Sequence, residues 1–465
     1  MSITSSGLWS DIKGAVAGNE YDFTTGSIGR AILLLSIPMV LEMLMESVFA
    51  VVDIFFVSKL GAEAVAAVGL TEGMMTILYA IAMGLSMGTT AIVARRYGEG
   101  DPKAAARSGV QGIIVSALVS IPFMIAGIFY APQLLGLMGA SETIRSELTS
   151  YTAIMLSGNI VVVLLFVINA IFRGAGDAAI SMRVLIAANA LNIVLDPILI
   201  FGWGPIPAMG ITGAAVATVF SRGVGVAYQF WFLAGRSNRI RLEHADLKPD
   251  LPVMGTLVRL SLGGIGQFLI GTASWVVLIR ILAEYGSTVL AGYTIAIRIF
   301  IFSLLPSWGM SNAAATLVGQ NLGAGNPDRA ERSAWTCGGV NTVFLVMVGI
   351  SYFLFAEWMM RIFTSDVDVI AVGVRCLKII SVGYLIYGMG MVMAQSFNGA
   401  GDTLTPTVIN FIGFWIIEIP LAWFLAQELG WREDGVFWSI VVGESSLGLM
   451  AMWWFRKGYW KAKKV

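Results

Sequence analysis

Residues 36–57, SIPMVLEMLMESVFAVVDIFFV, have the length and apolarity of a membrane helix yet carry Glu42, Glu46 and Asp53. About 20 mostly apolar residues cross the hydrocarbon core of a bilayer, and each carboxylate placed there costs about 2.5 to 3.5 kcal/mol on insertion scales. Three on one segment therefore need partners, water or a function. At about 100° per residue, positions 42, 46 and 53 fall at roughly 0°, 40° and 20° around the axis. They share one narrow face, which is expected to point into a protected polar interior.

The rest of the chain supports the membrane reading. Of 465 residues, 57% are hydrophobic and 12% charged, whereas a typical soluble domain carries about 25% charged residues. The sequence is that of an all-α polytopic membrane protein, and its formal net charge of zero says little about partners. Apolar windows of spanning length occur twelve times, at 28–57, 64–94, 108–130, 147–172, 179–203, 210–235, 252–282, 287–317, 333–356, 369–397, 405–427 and 435–457.

Lys and Arg sort unevenly between alternate loops. One side takes Lys13, Arg30, Arg95, Arg96, Lys103, Arg107, Arg173, Arg183, Arg222, Arg236, Arg239, Arg241, Lys248, Arg329, Arg332 and the tail residues Arg456, Lys457, Lys461, Lys463 and Lys464. The other holds Lys59, Arg145, Arg280, Arg361 and Arg432. Cytoplasmic loops are the basic ones, so both termini are expected in the cytoplasm and the chain in the inner membrane. Cys337 and Cys376 have no metal or disulfide spacing and are expected to be buried thiols. His244, in RSNRIRLEHADLKPD, reads as a loop residue. The N-terminal stretch lacks a basic region followed by an apolar one, so no cleaved signal peptide is expected. Leu8, Trp9, Ile12 and Val16 can form one face of a short interfacial helix.

Sliding the chain by 225 residues against itself exposes a repeat. VARRYGEGDPKAAARS (93–108) falls on VGQNLGAGNPDRAERS (318–333), and FRGAGD (172–177) on FNGAGD (397–402). Each copy holds six spans, so the second enters the membrane from the same side as the first and the repeat is parallel. The expected organisation is a cytoplasmic segment 1–27, a six-helix lobe 28–235, a charged linker 236–251, a second six-helix lobe 252–457 and a basic tail 458–465. Two lobes about a central cavity is an architecture of alternating-access transporters.

The fifth span, ANALNIVLDPILIFG, carries a second acidic feature. Asn192 and Asp196 stack one turn apart on one face, and Pro197 frees a backbone carbonyl. A carboxylate, an amide oxygen and a free carbonyl are hard ligands that suit Na⁺, or a proton held between paired carboxylates. The alternatives are that Asp196 only pins a kinked helix, that Asn192 bonds a neighbouring helix, and that Glu42 and Glu46 face a wet vestibule. At the same offset, Glu42, Glu46 and Asp53 fall on Gln267, Gly271 and Leu278. The second copy keeps the scaffold without these acids, which favours an ion site in the first lobe.

The motifs IPMV with Pro38, VVDIFFVSKLG around Asp53, GAGD in both halves, NIVLDPILIFG followed by GITGAAVAT, and LVGQNLGAGNPDRA resemble the multidrug and toxic compound extrusion (MATE) transporters over about residues 30 to 455. The resemblance implies twelve helices in two six-helix lobes and cation-coupled export of amphipathic, often cationic compounds. In one branch the coupling cation sits in the first lobe. Carried over by motif, Asp53, Asn192 and Asp196 take those positions, with Thr218 or Thr212 completing the site. Tyr151 and Asn169 match positions lining the same polar network, and Pro38 a proline at which the first helix bends. Another branch has an acid where this chain has Gln267. Glu42 and Glu46 have no family counterpart and are candidates for neutralising a cationic substrate. Met39, Met43, Met45, Met74 and Met75 can supply an adaptable apolar wall.

The coupling ion is expected to be Na⁺ or H⁺, with no cofactor, no nucleic acid and no obligate protein partner beyond membrane lipids and small amphipathic substrates. The alternative is a lipid-linked glycan flippase, for which the second-lobe cations would be Arg259, Arg280, Arg298, Arg375 and Lys378. No HExxH, nucleophile or phosphate-loop motif supports an enzyme.

Overall fold

The computed structural model describes residues 5–18, 21–235, 239–240 and 248–465. His244 and most of the linker lie outside the described residues. Within them the chain is helical, with a single isolated bridge between Trp203 and Ile206. A short helix α1 (Ser5–Ala17) precedes the first spans, α2 (Ile28–Val57), α3 (Ala62–Gly98) and α4 (Pro102–Leu137). After a short α5 (Glu142–Glu147), the fourth span is a bent pair, α6 (Thr149–Ser157) and α7 (Asn159–Gly174), followed by α8 (Ala178–Phe201) and α9 (Ile211–Ala234). The second set is α10 (Leu251–Ala283), α11 (Ser287–Gly323), α12 (Pro327–Arg361), the bent pair α13 (Val367–Val382) and α14 (Tyr384–Gly399), the eleventh span Leu404–Glu428, and α17 (Arg432–Arg456). Within the eleventh span, α15 (Leu404–Asn410) and α16 (Ile419–Trp423) alternate with π-helical stretches.

These are twelve spans, six in each half. The two bends fall at Gly158, by 41°, and at Gly383, by 62°. Those glycines are 225 residues apart, so the repeat preserves the break as well as the motifs. The spans differ in how much they bury, and the difference follows position. The apolar window of α3 is 72% buried, as befits a helix packed on both α4 and α7, whereas the windows of α4 and α12 are 28% buried. Phe129 on α4 and Leu354 on α12 are each more than half exposed. Such faces would be a liability in water and are the natural surface of a protein dissolved in lipid.

The chain forms two compact units. The first takes residues up to Tyr21 with Leu41–Ile265, and the second takes Asp22–Val40 with Gly266–Val465. Both dividing points lie inside a span, after Val40 in α2 and after Ile265 in α10, again at the offset of 225. The sequence-based boundaries kept each first helix whole. In the first unit, Gly84 of α3 meets the far end of this exchanged segment: a Cβ there would lie 2.6 Å from the Ser261 carbonyl oxygen. In the second unit, its counterpart Gly309 of α11 lies against Val40, where an added Cβ would be 2.7 Å from the Val40 Cα. Only a residue without a side chain permits backbones this close.

The end of α1 and the C-terminal tail are each tied to their unit. In the first unit, Arg183 donates to the Ala17 carbonyl at 2.8 Å, and Trp9 and Val16 of α1 remain exposed. In the second unit, the basic tail 458–465 is held in place: Trp460 is fully buried, stacks on Phe455 at 4.4 Å and donates to its carbonyl at 2.8 Å. Lys461 pairs with Glu331 at 2.6 Å and Asp328 at 3.2 Å, and Lys463 with Asp402 of the second GAGD at 3.3 Å. Cys337 and Cys376 are buried free thiols.

Candidate cation site in the first unit

Asp53 lies near the end of α2 and is half-buried. Thr218 of α9 donates to it, 3.1 Å from Oδ2 and 3.3 Å from Oδ1. Of the two candidate threonines this is therefore the one in contact, because Thr212 shares a 2.6 Å hydrogen bond with Ser150. Asn192 and Asp196 face inward on α8, both fully buried, and the Asn192 amide donates to Asp196 Oδ1 at 3.2 Å. The Asp53 and Asp196 carboxylates come within hydrogen-bonding reach of each other. Tyr151 is buried nearby and senses both. Pro197 removes the N–H that would have bonded the Ile193 carbonyl, adding an oxygen without an intrahelical partner.

Two atoms decide what this cluster can hold. Among the described residues, Asp196 Oδ2 and Asn192 Oδ1 are buried acceptors that receive no hydrogen bond. A buried acceptor left unmet costs about 1 to 3 kcal/mol, more when charged, and two ionised carboxylates in contact repel. One cation removes both penalties, either a proton shared by the acids or an ion coordinated by oxygens. No group of three His, Cys, Asp or Glu side chains suited to a metal ion occurs among the described residues. Two carboxylates, an amide oxygen and a hydroxyl make a set suited to a hard monovalent cation.

The other acids of α2 are already neutralised, which corrects the expectation that they await a cationic substrate. Glu42 is 1% exposed and forms an ion pair with Arg173 of α7, while Asn169 donates to the same carboxylate oxygen at 3.2 Å. Arg173 also donates to Ser86 at 2.8 Å, and Gln229 to Asn169 at 2.6 Å. Asn169 thus belongs to the Glu42 network. Glu46 is half-buried and pairs with Arg222 of α9 at 2.9 Å, with the guanidinium lying 4.4 Å over the Phe49 ring. Arg222 sits mid-helix and is 5% exposed, so it is not one of the loop charges among which the sequence placed it. Arg173 is likewise buried. A signal for both was available: an arginine inside an apolar run needs an acid partner as much as the reverse.

Gln267 of α10 is the repeat counterpart of Glu42, and Asn398 that of Arg173. They form a reciprocal amide pair, 3.0 Å from Gln267 to Asn398 and 3.1 Å back, with a further bond from Gln267 to the Thr403 carbonyl at 3.1 Å. One position in the architecture is thus filled by an ion pair in the first unit and by neutral amides in the second.

Twelve spans around a polar cluster inside one bundle define a multi-span membrane protein. The MatE family model matches residues 38–198 and 265–424, once in each half. The chain belongs to the MatE family of transporters. It is 29% identical over 449 residues to the probable multidrug resistance protein NorM of Thermotoga maritima, covering 94% of each chain. Among solved structures it is similar to a MATE protein in the bent conformation, with 26% identity, a TM-score of 0.87 and coverage of 95% of this chain and 97% of that one. An outward-facing multidrug resistance MATE family transporter matches with 26% identity, a TM-score of 0.87 and coverage of 94% and 96%.

Proposed function

We propose that the protein is a secondary antiporter that exports amphipathic, often cationic organic compounds in exchange for Na⁺ or H⁺ bound at Asp53 and Asp196. One observation carries the reading: Glu42 and Glu46 are each matched by an arginine, whereas among the described residues Asp53 and Asp196, facing each other across α2 and α8, form no ion pair. Asn192 and Thr218 orient the two carboxylates, and Tyr151 closes the site. The relatives named for multidrug resistance support the substrate class.

A cation arriving from outside removes negative charge at the cluster. The first helix then bends near Pro38, whose missing N–H leaves the Leu34 carbonyl unbonded within α2. Competition couples the fluxes, because a cation that weakens substrate binding must be weakened by substrate to the same degree. One charge crossing 100 mV supplies about 2.3 kcal/mol, enough for roughly a fifty-fold gradient. The chain sits in the cytoplasmic membrane with both termini inside, works without nucleic acid, cofactor or obligate protein partner, and needs no ATP of its own. The flippase alternative would need free second-lobe cations, and one of the five, Arg375, is held by Glu433 at 2.6 Å and by Asp434 at 3.1 Å.

The test is dye efflux from proteoliposomes under an imposed Na⁺ or pH gradient. Asp53→Asn and Asp196→Asn should each abolish gradient-driven efflux while retaining helical content and monodispersity. Gradient-driven efflux surviving in both variants would overturn the assignment.

A further inference from the structure

The second unit has no acids at the counterparts of Glu42, Glu46 and Asp53, but it carries two others inside its last two spans, Glu418, which is buried, and Glu444, which is half-buried. Glu418 ends the π-helical stretch Phe411–Glu418, is 3% exposed, and its Oε2 receives no hydrogen bond among the described residues. π-Helical turns are frequent at functional sites, and Pro420 just beyond lacks the N–H that would continue the ladder. Glu418 lies against Gly443 of α17, where any side chain would meet its carboxylate. The residue after that glycine, Glu444, is the charged neighbour that Glu418 senses. Neither glutamate forms an ion pair among the described residues. Glu444 lines a small cavity with Tyr384 and Tyr387 of α14, with room for about one water molecule. The Tyr384 hydroxyl, 1% exposed, lines the same cavity and makes no hydrogen bond among the described residues. Its neighbour Tyr352 gives its own proton to Ser303 at 2.6 Å.

We propose that Glu418 and Glu444 form a proton-binding site of the second unit, reached through the water-sized cavity at Tyr384 and Tyr387. Neighbouring carboxylates without an ion-pair partner repel when both are charged, and a proton added to one oxygen removes one of the two charges. The cavity is too small for an organic substrate. Its remaining walls, Phe300, Ile380, Ile440 and Val441, bring no oxygen side chains with which to coordinate a metal ion. The titratable groups around the pair are Tyr293 on α11, Tyr384 and Tyr387 on α14, and Cys376 on α13, all buried or half-buried. Of the α13 cations, Lys378 makes no ion pair with either glutamate among the described residues, and Arg375 is held at the end of α17 by Glu433 and Asp434. The site lies in a different unit from Asp53 and Asp196 and stands without them.

Infrared difference spectra of the reconstituted protein between acidic and alkaline buffer test it, because the carbonyl stretch of a protonated carboxylic acid is separate from carboxylate bands. The expected result is a protonated-acid band that shifts on ¹³C labelling of glutamate, is lost in the Glu418→Gln/Glu444→Gln double variant, and persists in Asp53→Asn/Asp196→Asn. A band unchanged in the glutamine variant, or one in the wild type with no component that moves on glutamate labelling, overturns the proposal. The single variants Glu418→Gln and Glu444→Gln, each expected to shift or remove the band, decide the matter where the double variant does not fold. Removal of the glutamate band by NaCl at constant pH would show a sodium site instead and overturn the proton assignment.

Discussion

Exchanging the Glu42–Arg173 ion pair for the amide pair that the second unit places at the same position separates a structural role from a transport role. Side-chain exposure is 2% for Glu42 and 7% for Arg173, so solvent screens the pair little. Glu42→Gln alone leaves a buried guanidinium without its counter-charge, and breaking a buried pair in this way costs about 3 to 5 kcal/mol. For a unit of this size, each kcal/mol moves the midpoint by roughly 2 to 4 °C, so a fall of about 6 to 20 °C is expected. Adding Arg173→Asn removes the stranded charge and reproduces the pairing of Gln267 with Asn398. The double variant should be less destabilised than the sum of the two single variants, with a coupling energy of about 0.5 to 3 kcal/mol. The assay is thermal unfolding in detergent, followed by circular dichroism for wild type, both single variants and the double. Where folded, the double variant should keep gradient-driven efflux, unlike Asp53→Asn. Independent, additive losses in the two single variants would refute the reasoning, as would a Glu42→Gln protein as stable as wild type.

Other outcomes follow from the same structure. Gly309→Ala should destabilise by about 1 to 3 kcal/mol through overpacking against the Val40 backbone, as should Gly84→Ala against Ser261, whereas Gly69→Ala, with open space around its Cβ position, should be neutral or stabilising; unfolding midpoints of the three compare them. Trp460→Ala removes a fully buried indole stacked on Phe455 and should cost about 3 to 5 kcal/mol, read as earlier unfolding and faster proteolysis of the tail. Asp22 accepts from the Thr24 hydroxyl at 2.6 Å and amide at 2.8 Å, and chiefly the hydroxyl holds its carboxyl below the usual range. Its contribution is therefore present above the ordinary carboxyl range and is lost as pH falls through the lowered value, so Asp22→Asn should flatten the acid limb of a stability-against-pH curve slightly.

Much of the fold was legible because bilayer thickness sets span length. The window 28–57 matches α2 residue for residue, and the others agree with their helices to within several residues. The bends at Gly158 and Gly383 and the π-helical eleventh span were not legible, since a run of apolar residues has the same composition whether its hydrogen bonds reach four residues or five. Asp53, Asn192, Asp196 and Thr218 were legible as candidates because acids and amides stand out against apolar sequence at helical spacing. Glu42 and Glu46 were misread for want of their partners. Arg173 borders a GAGD loop and Arg222 was counted by proximity to a membrane face, and only packing shows that both turn inward. Glu418 and Glu444 carry no repeat signal, because the offset of 225 places the apolar Ile193 and Val219 opposite them in the first copy.

The exchange of segments at Val40 and Ile265 bears on how the protein is made. Chain leaves the ribosome in order, yet the first unit lacks a piece of itself until residue 265 has emerged, and the second waits for a segment, 22–40, synthesised before almost anything else. Six spans expressed alone should stay open at the seat meant for the other half's first helix, and two such fragments supplied together should mend each other.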